Sequence, residues 1–160
     1  MERSEILDLM MALGPAAASA GGQVVALAGN HEAEFLADPA NSKSVDFVNE
    51  LQSLGQSPSD VASGMTPEGA FMRSLPFAAK VGNWFMSHAG NTHGMTVAQL
   101  ESAIEAGLDQ QGLAAPILSD PDSILEARLS PPWWEGGPDS PESTLAATRS
   151  FSVTAFSMSG

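Results

Sequence analysis

Two short stretches of this 160-residue chain hold the side-chain types that proton transfer and cation binding require: Gly29-Asn30-His31-Glu32 and Ser87-His88-Ala89-Gly90. An imidazole donates or accepts a proton near neutral pH, and an asparagine amide oxygen can face a metal ion or a phosphate. Each of these two histidines has a Gly two residues away, where a chain can turn without a Cβ clash.

The elements that position such residues are legible around them. Residues 24–28 are all apolar with Val at the front, which predicts a strand covered on both faces and ended by Gly29. Residues 77–81 and 84–87 predict two strands joined by Gly82-Asn83, a hairpin signal. Polar groups at the carboxyl ends of strands sit where α/β sheets bind ligands. Two such exits in one sheet predict His31 and His88 at a common edge. The ordinary alternative is a structural His in a strand-end loop, but the recurrence favours a site.

The rest of the chain reads mainly as helices and loops. Ile6, Leu7, Leu9, Met10 and Leu13 form a stripe of near-helical spacing, with Gly14-Pro15 expected to end or kink the helix and Gly21-Gly22 to break the chain. Residues 32–36 predict a short helical turn ending near Asp38-Pro39. Residues 44–54 predict a helix with Val45, Val48 and Leu51 on one face, and residues 55–64 a loop. Thr66-Pro67 is a cap followed by Pro at the first helical position, opening a helix that stops at Pro76. Thr96-Val97-Ala98-Gln99 is a capping box for a helix to about Leu108. Asp120-Pro121 predicts another to about Leu129. Residues 130–134, with Trp133 and Trp134, are expected to be extended, and residues 151–156 alternate weakly like a short strand. His93, in a polar turn, reads as surface.

Composition narrows the function classes. The hydrophobic fraction of 43% fits a globular chain. The formal charge is −13 with six Lys and Arg, which disfavours nucleic acid and anionic lipid as partners, and phosphorylated substrates too unless cations reverse the sign locally. No apolar run approaches the roughly 20 residues that cross a bilayer, and Asp8 interrupts the N-terminal apolar run, making a poor signal peptide. Cys is absent, which excludes disulfides and thiolate metal sites and is compatible with a cytoplasmic location.

The paired G-N-H-E and H-A-G motifs, each behind an expected strand, resemble those of the calcineurin-like metallophosphoesterases, within them the bacterial branch of PPP-type serine/threonine protein phosphatases. Thr66-Pro67-Glu68-Gly69, Leu75-Pro76, Lys80-Val81-Gly82, Leu125-Glu126-Ala127-Arg128 and Trp133-Trp134 add to the likeness, which spans roughly residues 3–135. The resemblance implies an α/β fold, α+β in part, with two β-sheets flanked by helices. It implies a phosphatase acting on phosphate monoesters, either phosphoproteins or small esters, with two divalent metal ions (Mn, Fe or Zn). On it, Asn30 and His88 are metal ligands, His31 protonates the leaving oxygen, and Arg128 contacts phosphate or else forms a salt bridge. Imidazole and oxygen donors suit such ions, and an imidazolium beside the leaving oxygen is a suitable general acid.

The family's two aspartate motifs, G-D-x-H and G-D-x-x-D-R-G, are absent, as is its late G-H motif. The resemblance therefore implies a catalytic domain cut at both ends, covering residues 1–135 without its first strands, and followed by a polar tail at 136–160. A chain with only part of the ligand set is expected to hydrolyse poorly. The alternative is a non-catalytic fragment or pseudoenzyme that binds a protein partner through its acidic surface or its Trp pair.

Overall fold

In a computed structural model of the chain, residues 3–127 and 154–155 are described. The architecture is α+β, with helices predominating over a small antiparallel sheet. The chain divides into two compact units, Met1–Leu75 and Pro76–Gly160.

The regular elements among the described residues of the first unit are all helices. Helix α1 (Arg3–Ser19) runs through Pro15 instead of ending there. It closes at Gly21, φ +76°, where Gly22 N donates to Ala17 O at 2.8 Å and Gly21 N to Ala18 O at 3.0 Å. This pair of bonds satisfies carbonyls left over by the last turn. Its start is held by another helix. Glu50 of α3 (Val45–Ser53) accepts from Arg3 N at 3.0 Å and from Ser4 N at 2.7 Å. A carboxylate there meets the positive end of the helix and its unpaired N–H groups.

Residues 22–29 form no strand, which corrects the expectation for residues 24–28. Val24 is exposed, and only Ala28 and Gly29 are buried. A strand exists by pairing, and no described segment pairs with this one. Helix α2 (Asn30–Ala37) follows at once and ends at Asp38, as expected. Asn41 then caps a 3₁₀ turn (Ser42–Ser44) leading into α3. The buried face of α3 carries Phe47 and Leu51, whereas Val45 is exposed, so the aromatic residue rotates the face away from the Val45 register.

Residues 55–64, expected as loop, contain helix α4 (Pro58–Ser63). Ser57 caps it, accepting from Asp60 N at 3.4 Å, with Pro58 in the first turn. Helix α5 (Pro67–Ser74) repeats the device with Thr66, which accepts from Gly69 N at 3.1 Å. The core of this unit is Phe35, Leu36, Phe47, Leu51, Val61 and Met72, and burying each such side chain stabilises by about 1.5–3 kcal/mol.

The second unit opens with the expected hairpin. Strand β1 (Ala78–Val81) pairs antiparallel with β2 (Trp84–Ser87) in the register Ala78 to Ser87, and Gly82 turns the chain at φ +59°. Strand β3 (Thr154–Ala155) pairs with the other edge of β1, giving the order β2-β1-β3. The described residues thus form one antiparallel sheet where the resemblance implied two. Helix α6 (Val97–Gln111) starts at the Thr96 capping box and runs a turn past the expected end. Helix α7 (Pro116–Ser119) precedes the position expected for a last helix, and residues 121–126 are turns instead. The reason lies in Ser123: its hydroxyl accepts from Glu126 N at 3.1 Å and donates to Leu118 O at 2.9 Å, so a side chain holds backbone groups in a turn. Phe77, Leu100, Ile104, Leu118, Ile124 and Leu125 form this unit's core. Residues 128–134, including Arg128, Trp133 and Trp134, lie outside the described residues, as does most of the expected 136–160 tail.

Candidate functional site

Gly29 is the N-cap of α2, with extended backbone at φ −98° and ψ −177°. A glycine has no side-chain oxygen to cap the helix. Instead Glu32 reaches back, its Oε2 accepting from Gly29 N at 2.9 Å, while Gly29 O accepts from Ala33 N at 3.1 Å. Glu32 is thereby committed to shaping the turn. Asn30 and His31 become the first two residues of the helix, Asn30 half-buried and His31 exposed. Their position at a helix start puts them where backbone N–H groups and the helix dipole favour an anion.

His88 follows β2 directly and is exposed. Its turn is pinned on both sides: Gly90 N donates to Ser87 Oγ at 3.0 Å, and Ala89 N donates to Ile124 O at 3.0 Å. Gly90 adopts φ +76°, so the turn needs a residue without Cβ there. His93 is exposed with φ +52°, in an Asx turn in which Asn91 Oδ1 accepts from His93 N at 3.0 Å.

His31 belongs to the first unit and His88 to the second. The expectation that both leave one sheet is corrected, because His31 follows unpaired chain and only His88 follows a strand. Among the described residues no group of three His, Asp or Glu side chains could hold a metal ion. A two-ion centre needs carboxylate or imidazole donors on both ions and an oxygen shared between them. One amide and two imidazoles, with Glu32 occupied at the helix cap, do not fit that group.

Sequence reasoning missed the surroundings of His31. It lines a cleft of about 390 Å³ within the first unit, together with Phe35, Phe47 and Met72. Arg3 and Lys43, on separate segments, line the same cleft. The one available signal was scarcity, since these are two of only six Lys and Arg in the chain. Compared with models of known protein families, with curated proteins and with solved structures, the chain matches none.

Proposed function

We propose that this chain is a metal-dependent phosphoesterase by descent, of the calcineurin-like metallophosphoesterase kind, acting on phosphate monoesters. In this reading Asn30 and His88 are the surviving metal ligands and His31 is the group that returns a proton to the leaving oxygen. The observation that carries it is local. The G-N-H-E motif opens a helix with Asn30 and His31 in its first turn, and the H-A-G motif leaves a strand in a pinned turn. The donor set does not fit a two-ion centre. The chain itself is expected to hold at most one divalent ion, weakly.

A second reading, a non-catalytic protein-binding module, is favoured by α1. It has no buried residue and leaves Ile6, Leu9 and Leu13 at 43%, 48% and 36% exposure, at helical spacing on an otherwise acidic chain. One experiment separates the two: calorimetric titration with Mn²⁺ and turnover of p-nitrophenyl phosphate, for the parent and for Asn30→Ala, His31→Ala and His88→Ala. Mn²⁺ binding lost in Asn30→Ala or His88→Ala supports the first reading. Robust turnover abolished by His31→Ala defeats the second. Neither binding nor turnover leaves the protein-binding reading.

A further inference from the structure

The cleft beside His31 has a chemical character that the motifs do not describe. Its floor is aromatic and apolar: Phe35, Phe47 and Met72 are 2%, 9% and 2% exposed, and the two rings meet edge-on with centroids 4.9 Å apart. Leu7 of α1 forms part of the wall. The volume of about 390 Å³ lies at the small end of the ~300–1,000 Å³ typical of small-molecule pockets.

Its charge runs against the rest of the molecule. The chain carries −13, yet of the four Lys, Arg and His among the described residues of the first unit (Arg3, His31, Lys43 and Arg73), three line this cleft. One acid lines it, Glu32, and its carboxylate accepts the Gly29 N–H. The two cations are paired to different depths. Arg3 Nη2 lies 3.4 Å from Asp46 Oδ2, with the two side chains 50% and 82% exposed, and Lys43, itself half exposed, pairs with Glu34, whose side chain is 23% exposed. An exposed pair such as Arg3–Asp46 contributes little, so an anionic head competes with Asp46 at small cost.

We infer that the cleft binds a small amphipathic anion, one with an apolar body and a single carboxylate or comparable anionic head. The body lies against Phe35, Phe47 and Met72, and the head sits among Arg3, Lys43 and His31. A neutral ligand of the same body would gain the floor but not the rim. A cationic one would meet three basic side chains. This assignment stands apart from the phosphoesterase reading, since it needs no metal and no turnover.

The test titrates the full chain with decanoate, decanol and decyltrimethylammonium, observing methionine methyl groups by NMR with Met72 assigned through Met72→Leu. Decanoate is expected to shift the Met72 methyl and to bind about tenfold more tightly than decyltrimethylammonium, as two partly exposed ion pairs contribute. The double variant Arg3→Gln, Lys43→Gln should erase most of that margin while leaving decanol binding unchanged. Where that variant loses its helical circular dichroism, the parent's salt dependence decides: the margin must shrink as ionic strength rises. A Met72 methyl that does not titrate, equal binding of the anion and the cation, or a margin indifferent to salt or to the double variant overturns the assignment.

Discussion

Gly69 offers the sharpest test of the packing that supports the cleft. It lies in the first turn of α5, buried against α4, and a Cβ built there would stand 2.0 Å from Val61 O and 2.8 Å from Val61 C. Ordinary contact begins near 3.4 Å, so the methyl group is about 1.4 Å too close to backbone that cannot rotate aside. The Gly69→Ala change must therefore push α5 away from α4 and loosen Val61 and Met72, both almost fully buried. Helix propensity alone favours Ala by about 1 kcal/mol. Overpacking costs about 1–3 kcal/mol and the loosened side chains a comparable amount, for a net loss of about 2–3 kcal/mol. For a unit of this size each kcal/mol is worth about 4–8 °C, so the melting temperature should fall by roughly 10–20 °C. Far-UV circular dichroism follows the helices of the first unit, and hydrogen exchange at the amides of α4 and α5 localises the loss. The reverse change at the exposed neighbour, Ala70→Gly, should cost about 1 kcal/mol from propensity. Propensity gives the two changes opposite signs, and packing gives them the same sign. An unchanged or raised melting temperature for Gly69→Ala would refute the close approach.

Glu50 links stability to pH. Burial acts to raise its carboxyl, but the bonds from the Ser4 hydroxyl and from the Ser4 and Arg3 N–H groups, with the Arg3 charge, outweigh it and hold the group below the ordinary glutamate value. Its contribution is therefore complete above the ordinary range near pH 4.3 and is lost as pH falls through the depressed folded value. Glu50→Gln should destabilise α1 at pH 6, and the gap from the parent should narrow steadily toward pH 3 in urea melts. A gap that is constant with pH would contradict the helix-end role. Thr96→Ala removes the oxygen that accepts from Gln99 N at 3.3 Å, and should cost about 1 kcal/mol in urea unfolding, with early exchange of the first amides of α6.

The residues legible in advance were those whose conformation is decided within a few positions. Thr66-Pro67, Thr96 with Gln99, and Gly82-Asn83 each placed an element boundary, because a cap or a turn is a bargain between near neighbours. The same local logic applied equally to Ser57-Pro58, and only the Ser, Pro and Gly content around it disguised α4 as loop. Of the candidate site, the strand and turn that carry His88 could be read, whereas Asn30 and His31, expected at the end of a strand, instead open helix α2 after unpaired chain. The wider setting of all three could not be read. Residues 24–28 have strand composition, but pairing needs a partner from elsewhere in the chain, and none among the described residues supplies it. Glu50 holding the start of α1, Gly69 admitting Val61, and Arg3, Lys43 and His31 gathering over Phe35 and Phe47 all join residues far apart in sequence. By itself the order of amino acids determined caps, turns and most helix limits. Tertiary packing alone decided which apolar faces are covered and where the scarce positive charge collects, since burial and electrostatics depend on distance through space and not along the chain.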